Sequence, residues 1–268
     1  VPQYISCADL NNMPWLGKTV LKPIDGTSSQ NVQIFPSLQD AISYVKSETN
    51  KNNDFNLQKY EFEEYIKGPH FHFDGVMHEG EPYKVIMSCY ADTCLNYFKN
   101  GAPFASIQLP DDKEAIEWAI ACVKAVDIKN GTFHLEAIKS KDGLVFMEIA
   151  ARAAGAGIAE AFHKATAINL FEHTLYADIK NAKDDFPFKE KITWESPASA
   201  SLYYGVFMFP AHHLSSEYCE IQGADVFDHH PNIERLSLLP KEKKISKKPT
   251  CLHSELPMAG IMKGSSSE

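Results

Sequence analysis

Hydrophobic and polar residues alternate near the middle of the chain in a pattern that predicts a β-hairpin. Residues 132–138 alternate between apolar and polar side chains, with Glu136 on the polar face. A turn signal at 141–143 follows, and the next apolar run, 144–149, is interrupted by Glu148. Antiparallel pairing of these two strands would place Glu136 and Glu148 on the same face.

Two carboxylates on one face of a hairpin repel each other unless a cation lies between them. Oxygen ligands from only two carboxylates suit Mg²⁺, whose other positions are then filled by phosphate oxygens and water. Arg152 follows Glu148 by four residues, and its planar guanidinium could hold a phosphoryl group during transfer. The alternative is an ordinary hairpin with two solvated glutamates and a surface arginine.

A second candidate site lies closer to the start of the chain. Residues 19–24 are typical of a short strand and carry Lys22, and a loop of small and polar residues, 25–32, follows. Backbone N–H groups of such a loop can approach phosphate oxygens, and the lysine supplies a positive charge. The spacing differs from that of a Walker A loop, in which the lysine follows the glycines. The alternative is a hairpin turn with a surface lysine.

The rest of the pattern predicts a mixture of helices and strands. A strand is predicted over 59–66, and Gly68 and Pro69 follow it. We therefore expect the boundary between two lobes near Gly68. Residues 92–105 are predicted to form a long loop. The other predicted strands are at 32–35, 83–91 and 199–209, and the predicted helices span 37–48, 111–127 and 158–179. The first helix is expected to bury Leu38, Ala41, Ile42 and Val45. The last is expected to have a break near Asn169 and to bury Ala159, Phe162, Ala165, Ile168 and Leu175.

The composition limits the classes of protein to consider. A chain of 268 residues with 44% hydrophobic residues can fold as one large domain or as two lobes with separate cores. The net charge of -9 argues against nonspecific binding of nucleic acid, and no apolar run approaches the length of a membrane span. The six cysteines include no Cys-x-x-Cys pair, which favours free thiols in a reducing compartment and a cytoplasmic location.

Three histidines lie close together in the sequence, at His70, His72 and His78. His70 and His72 would share one face of a strand, a spacing that can bind zinc. The surrounding sequence supplies no cysteine or third ligand at zinc spacing. We therefore favour half-buried histidines in an aromatic-rich strand.

Several segments match, in order, the motifs of one known superfamily. They are Val20-Leu-Lys-Pro-Ile with Gly26-Thr-Ser-Ser and Val32, Glu63-Glu-Tyr-Ile-Lys-Gly, Phe73-Asp-Gly, His134-Leu-Glu136, and Met147-Glu-Ile-Ala-Ala-Arg-Ala-Ala-Gly-Ala-Gly157. Over residues 15–180 the chain resembles the ATP-grasp superfamily, in particular its carboxylate–amine ligases of the L-amino-acid ligase type. The resemblance implies an α+β fold in which two α+β lobes hold ATP between them, followed by a small β-rich C-terminal part. The expected divisions are a connector at 1–18, the small lobe at 19–68, the large lobe with the metal site at 69–198, and an incomplete β-rich region at 199–268.

The resemblance also implies roles for individual residues. Lys22 would bind the ATP phosphates and take part in catalysis, and Glu136 and Glu148 would ligate Mg²⁺ or Mn²⁺. Arg152 would be catalytic, holding the acyl-phosphate intermediate and its tetrahedral successor. The other implied nucleotide-binding residues are Gly26, Thr27, Ser28 and Ser29 in a loop over the phosphates, and Glu63, Glu64, Tyr65 and Ile66 at the hinge, where backbone groups of Glu63 and Ile66 would hold the adenine edge.

The sequence departs from the family pattern in three respects. His70 stands where many members have glutamate, and it could reach the ribose instead. Ala150 stands where peptide ligases of the D-alanine type have asparagine, whereas Arg152 fits the L-amino-acid ligase type. The family's N-terminal α/β domain and its upstream ATP-binding lysine have no counterpart here. We therefore expect a central-to-C-terminal portion of a larger or split enzyme, with the N-terminal domain or a homodimer partner as protein partners.

The implied activity is ATP-dependent joining of a small-molecule carboxylate to an amine through an acyl phosphate. We expect neither a nucleic-acid nor a membrane partner. Two other functions remain open from the sequence. One is an ATP-grasp carboxylase of the biotin carboxylase type, and the other is an ATP-binding module without catalytic activity.

Overall fold

The computed structural model of the protein describes residues 1–8, 14–26, 28–51, 56–182 and 202–265. The described strands are β1 (Tyr4–Ser6), β2 (Thr19–Pro23), β3 (Gln33–Phe35), β4 (Tyr60–Glu64), β5 (His70–His78), β6 (Glu81–Tyr90), β7 (Phe104–Gln108), β8 (Gly131–Ser140), β9 (Gly143–Ala150), β10 (Tyr203–Phe209), β11 (Ile233–Leu238) and β12 (Met258–Gly264). The described helices are α1 (Leu38–Lys51), α2 (Cys94–Asn100), α3 (Lys113–Ala125), α4 (Ile158–Thr166) and α5 (Leu170–Ala182).

These strands form two antiparallel sheets. The smaller sheet has the strand order β1-β4-β2-β3, and the larger has the order β11-β12-β10-β7-β6-β5-β8-β9. Together with the helices they make an α+β fold, as the sequence predicts. The division into lobes at 68 and 198 stays a prediction. The charged residues of 183–191 predict a linker, and this segment lies outside the described residues.

The smaller sheet packs against α1. The helix buries the four side chains that its apolar spacing predicts, and they contact Leu21 of β2 and Phe62 of β4. Its start is capped by Ser37, whose hydroxyl oxygen accepts a hydrogen bond from the backbone N–H of Asp40 at 3.1 Å. Strand β1 lies within the segment predicted to be a connector, and it pairs with β4. The sequence does not predict this strand, because three residues are too few to show a periodic pattern.

The larger sheet is covered on both faces. Phe73, Met87 and Leu135 point to the face that packs against α3. On the opposite face, Val76 and Ile86 pack against α4 and the start of α5. Complete burial of a side chain of this size contributes about 1.5–3 kcal/mol to stability. One end of this second face carries polar residues in place of apolar ones, and that end forms part of the site described below.

The prediction of a long loop at 92–105 is wrong, because α2 lies within this segment. Thr93 caps the helix by accepting a hydrogen bond from the backbone N–H of Asn96, and Gly101 ends it with a φ of 68°. Strand β7 begins at Phe104 and pairs with β6. A seven-residue helix is too short to show the repeating apolar stripe from which longer helices are predicted.

The helix predicted over 158–179 is two helices, α4 and α5, and the break expected near Asn169 is confirmed. The Asn169 side-chain oxygen accepts a hydrogen bond from the backbone N–H of Phe171 at 3.1 Å, as the first residues of a helix require. Ala159, Phe162, Ala165 and Ile168 are buried as predicted. Leu175 was predicted to be buried but is 60% exposed, and α5 instead buries Leu170, His173 and Ala177.

All six cysteines are free thiols. Among the described residues, no helix has the length and hydrophobicity needed to cross a membrane.

Candidate active site

A cavity of about 410 Å³ is lined by residues from both sheets. It brings together every candidate site residue of the sequence analysis that the structure describes: Lys22, Gly26, Ser28, Ser29, Glu63, Glu64, Tyr65, Ile66, His70, Glu136, Glu148 and Arg152. Thr27 lies outside the described residues. The alternation of the strands and the order of the motifs therefore place these residues at one location, although their roles stay predictions.

The β8–β9 hairpin supplies the two glutamates. Glu136 and Glu148 lie directly opposite each other in the register of the hairpin, next to a bulge that follows Glu136. Glu136 is only 8% exposed, whereas Glu148 is accessible to solvent. Partial removal from water and the charge of Glu136 raise the pKa of Glu148, against the opposing influence of Lys22 and other cations. The two carboxylates are thus held close enough for their charges to interact.

Beside Glu136, buried polar side chains form a continuous hydrogen-bonded network. The Asp74 carboxylate accepts from His134 Nδ1 at 2.9 Å and from His72 Nδ1 at 2.6 Å. His134 Nε2 donates to Glu136 Oε1 at 3.2 Å, and the Tyr90 hydroxyl donates to the same oxygen at 2.7 Å. The register explains the arrangement, because His72 lies opposite Glu136 and Asp74 lies opposite His134 on one face of the sheet.

Charges within this network stabilise each other. Burial opposes ionisation of Asp74, but its interactions with His134 and His72 outweigh burial and hold the pKa of the carboxyl well below its usual range. Burial likewise disfavours a charged His134, yet the neighbouring carboxylates raise the pKa of its imidazole to about 10. Burial raises the pKa of Glu136, and the hydrogen bonds from His134 and Tyr90 outweigh it, so that the net shift is downward. At neutral pH the network therefore contains an imidazolium between two carboxylates.

The zinc alternative for His70, His72 and His78 does not fit this geometry. His70 and His78 lie at opposite ends of β5, about 26 Å apart along an extended strand. His72 belongs to a buried cluster with Asp74 and His134 whose donor atoms lie within 4.8 Å of one another. The second ring nitrogen of His72 lies 2.6 Å from Ser106 Oγ, so both of its nitrogens are engaged by protein groups. The favoured interpretation of His72 as half-buried is also wrong, because the side chain is completely buried.

Strand β2 carries Lys22 into the cavity. Its Nζ lies 2.9 Å from Glu63 Oε1 and 3.7 Å from Glu61 Oε1, both on the neighbouring strand β4. Burial and the charge of Glu63 raise the pKa of Glu61, against the opposing effect of Lys22. Glu61 was not among the predicted site residues, and Glu63 was expected to act through its backbone. The structure shows that the side chains of both residues hold the lysine at the cavity wall.

The loop after β2 has an unusual backbone conformation. Ser28 and Ser29 have φ values of 55° and 54°, in the left-handed region that residues other than glycine rarely adopt. Such conformations cost on the order of 1–3 kcal/mol each and persist only where the surrounding structure supports them. Because both residues line the cavity, the loop brings backbone groups to the wall where phosphates are expected.

The hinge after β4 and three strands contribute apolar side chains to the cavity. They are Ile66 of the hinge, Val20 of β2, Ile138 of β8 and Met147 of β9, and a planar heterocycle could bind between apolar side chains of this kind. His70 lies opposite Ile138 in the sheet. Burial lowers the pKa of His70, which favours a neutral imidazole able to exchange hydrogen bonds with a hydroxyl group.

Arg152 follows β9 and lies at the cavity wall beyond Glu148. One of its terminal nitrogens donates to the backbone oxygen of Ala153 at 2.9 Å. Its charge acts on Glu148 and opposes the rise in the pKa of that carboxyl. The guanidinium therefore lies near enough to Glu148 for their charges to interact, as the four-residue spacing indicates.

The donor set fits a hard divalent cation. Glu136 and Glu148 offer carboxylate oxygens from opposite strands, and a cation between them would relieve the repulsion that raises the pKa of Glu148. The hydrogen bonds from His134 and Tyr90 fix the orientation of Glu136, as is typical of groups behind a metal ligand.

The amino-acid sequence of the chain also matches a known family. A family model of the ATP-grasp domain matches residues 17–160, more than half of the chain, so the chain belongs to the ATP-grasp family. A search of curated protein sequences finds no match.

Solved structures with the same fold include several ATP-grasp enzymes. The L-amino acid ligase from Bacillus licheniformis is 20% identical with a TM-score of 0.68, and the match covers 98% of this chain and 62% of that one. Phosphoribosylglycinamide synthetase from Anaerococcus prevotii is 14% identical with a TM-score of 0.60, covering 98% and 64%. The biotin carboxylase domain of the Hydrogenobacter thermophilus 2-oxoglutarate carboxylase, solved with MgADP and bicarbonate, is 15% identical with a TM-score of 0.55, covering 92% and 53%. The chain thus spans less than two thirds of the length of these structures, and the likeness establishes the fold.

Several residues in and behind the cavity wall could not be assigned a role from the sequence. His134 lines the cavity and Asp74 lies behind it, and both belong to matched motifs. His134 shares the alternation that places Glu136 on the polar face. Tyr90, Phe104 and Met208 also line the cavity. No local pattern indicates these three, because their strands are brought together by the sheet order and not by sequence proximity.

Proposed function

We propose that the chain is the ATP-binding and catalytic part of a carboxylate–amine ligase, which joins a carboxylic acid to an amine and converts ATP to ADP and phosphate. The observation that carries the proposal is the pair Glu136 and Glu148, which face each other across one hairpin in the same cavity as Lys22 and Arg152. Two carboxylates for a divalent cation, together with two cationic side chains, suit transfer of a phosphoryl group.

ATP would occupy the cavity from the hinge towards the glutamates. The adenine would bind in the apolar slot near Ile66 and Met147, and the neutral imidazole of His70 would contact the ribose. The phosphates would then lie near Lys22 and the loop that contains Ser28 and Ser29. This orientation places the terminal phosphate where the carboxylates and Arg152 meet.

The residues of the cavity would hold the reacting groups. Lys22, fixed by its ion pair with Glu63, would offset negative charge on the phosphates. Glu136 and Glu148 would hold Mg²⁺ or Mn²⁺, which when bound supplies positive charge to the transferring phosphoryl group. Arg152 would stabilise the negative charge of the acyl phosphate and of the tetrahedral adduct that follows.

The chemistry would proceed in two steps. A carboxylate oxygen of the acid attacks the γ-phosphorus of ATP, the bond to the β–γ bridging oxygen breaks, and ADP leaves as an acyl phosphate forms. The neutral amine then attacks the acyl carbon, phosphate leaves with the original carboxylate oxygen, and the amine gives up one proton. Catalysis in this scheme depends on positioning and charge stabilisation, which the fixed side chains of the cavity can provide.

A phosphate-release assay tests the proposal. The chain would be incubated with Mg²⁺, ATP and the standard amino acids, singly and in pairs, alongside variants Glu148→Gln and Asp142→Asn. Asp142 is an exposed residue at the turn of the same hairpin and serves as the matched control. We expect phosphate release that requires both an acid and an amine, a decrease of about 100-fold or more in E148Q, and no change in D142N.

The same assay separates the alternatives. Phosphate release that depends on bicarbonate without an amine would favour a carboxylase, and nucleotide binding without turnover under any condition would favour a binding module. Unchanged turnover in E148Q would contradict the assigned role of the glutamate pair.

A further inference from the structure

We infer that the acid substrate carries a bulky apolar side chain, which binds in an aromatic pocket beside Glu136; this inference rests on the proposed ligase function. The aromatic pocket is the part of the cavity wall formed by Tyr90, Leu95, Tyr97, Phe98, Phe104 and Met208.

The aromatic pocket adjoins the glutamate pair directly. The hydroxyl group of Tyr90 donates to Glu136 Oε1 at 2.7 Å, while the ring of Tyr90 lies 5.4 Å from that of Phe104. Phe104 in turn lies opposite Met208 in the register of β7 and β10. The wall therefore runs from the site of phosphoryl transfer across β6, β7 and β10, away from the hinge slot that suits adenine.

Contacts among the rings make this wall well defined. The ring of Tyr97 lies 5.9 Å from that of Phe104 and 5.2 Å from that of Phe98, with edge-to-face angles of 71° and 86°. Tyr90, Tyr97, Phe104 and Met208 belong to one buried core cluster, against which Phe98 packs. The pocket is thus part of the rigid core of the fold.

The polar groups in this region are already engaged. The hydroxyl group of Tyr97 donates to the backbone oxygen of Thr250 at 2.5 Å, and that of Thr93 caps α2. Burial raises the pKa of the thiols of Cys94 and Cys251, so both are neutral at physiological pH. The wall consequently presents ring faces, methyl groups and uncharged sulfur to the cavity.

The wall selects against charged side chains. None of the six residues that define the aromatic pocket carries a formal charge, so an ionised substrate side chain in contact with them would lose its hydration without gaining a partner among them. An apolar side chain of branched or aromatic type would instead gain by leaving water. The carboxyl group of the acid must lie near Glu136 and Arg152 to react, which places its side chain within reach of Tyr90.

Formation of hydroxamate tests the inference without knowledge of the natural amine. Hydroxylamine attacks an acyl phosphate at the acyl carbon, giving a hydroxamate and phosphate. The acids compared would be leucine, phenylalanine and methionine against aspartate, glutamate and lysine, each with ATP and Mg²⁺. We expect kcat/KM to be about 10- to 100-fold higher for the apolar acids.

A charge placed in the pocket provides the second arm. Leu95→Asp would add a carboxylate to the wall, whereas Asn100→Asp would add one to the exposed end of the same helix. We expect the ratio of kcat/KM for leucine to that for lysine to be about 10-fold lower in L95D than in the parent. We expect N100D to keep the ratio of the parent. Circular dichroism would confirm that both variants fold, with Leu95→Asn as the replacement if L95D does not.

The outcomes separate the inference from the proposed function. Hydroxamate formed preferentially from charged acids, or a preference unaffected by L95D, would overturn the inference and leave the ligase function in place. If no acid yields hydroxamate or phosphate, the proposed function fails. Calorimetric binding of leucine and aspartate to the protein with MgADP then decides the inference: tighter binding of leucine supports it, and equal or weaker binding overturns it.

Discussion

Asp74 is almost completely buried, and both of its carboxylate oxygens accept hydrogen bonds from histidine rings. One of these rings, His134, donates from its other nitrogen to Glu136. Asp74 does not line the cavity wall that contains the glutamates, yet it fixes the ring that orients one of them. At the scale of single residues, the position of Glu136 therefore depends on a side chain that does not reach the reacting groups.

Asp74→Asn is the variant that tests this dependence. The amide keeps the shape of the carboxyl group but replaces one acceptor oxygen with a donor, so one histidine loses its partner. We expect the affinity for Mn²⁺ in the presence of ADP, measured by electron paramagnetic resonance, to decrease by about 10-fold.

Ser106→Ala is the control for this measurement. It removes the partner of the outer nitrogen of His72 and leaves the bonds between Asp74, His134 and Glu136 in place. We expect its Mn²⁺ affinity to stay close to that of the parent. An unchanged affinity in D74N would contradict the positioning role.

The sequence was sufficient to predict the glutamate pair but not the network behind it. Alternation along residues 132–138 and a turn at 141–143 determine the hairpin, and the register of the hairpin determines that Glu136 and Glu148 face each other. The contact between Asp74 and His134 depends on the pairing of β5 with β8, which are separated by two strands and two helices in the chain. No local pattern specifies that pairing.

At the scale of elements, the connection between the two sheets is held by close backbone packing at Gly68. A side-chain Cβ at this position would lie 1.9 Å from the backbone oxygen of Lys139, at the end of β8. The backbone N–H of Lys139 also donates to the oxygen of Pro69 at 2.9 Å. The segment that carries Ile66 and His70 into the cavity is therefore fixed against the strand that carries Glu136.

Gly68→Ala should disturb this packing. The added methyl group must displace backbone, and we expect a loss of about 1–3 kcal/mol in the free energy of unfolding, measured with urea. Binding of ATP should weaken in parallel, because the hinge residues move with the connection. Gly17→Ala is the control, since nothing lies within 4 Å of a Cβ there. Equal stability of the two variants would show that the packing at Gly68 does not matter.

Some helices and strands could be predicted from the sequence and others could not, because only some of them depend on interactions between nearby residues. Helix α1 and the break at Asn169 follow from apolar spacing and a capping side chain, which act within a few residues. Helix α2 and strand β1 are too short for a periodic signal, and their positions depend on neighbours distant in the sequence.

At the scale of the whole molecule, the larger sheet joins segments that are far apart in the chain. Strand β7 pairs with β6 on one side and with β10, almost a hundred residues later, on the other. This pairing places Met208 beside Phe104 and creates the aromatic pocket. Expected contributions from an N-terminal domain or a homodimer partner stay predictions.

The proposed function requires that the cavity activate a carboxylic acid by phosphorylation, and an isotope-transfer measurement tests this requirement. The acid that gives the most hydroxamate would be labelled with ¹⁸O in both carboxylate oxygens and incubated with ATP, Mg²⁺ and hydroxylamine. An acyl phosphate requires one labelled oxygen to leave with phosphate and the other to remain in the hydroxamate. We predict one ¹⁸O atom in each phosphate released with product, by mass spectrometry. Unlabelled phosphate formed together with hydroxamate would contradict activation of the acid by phosphorylation.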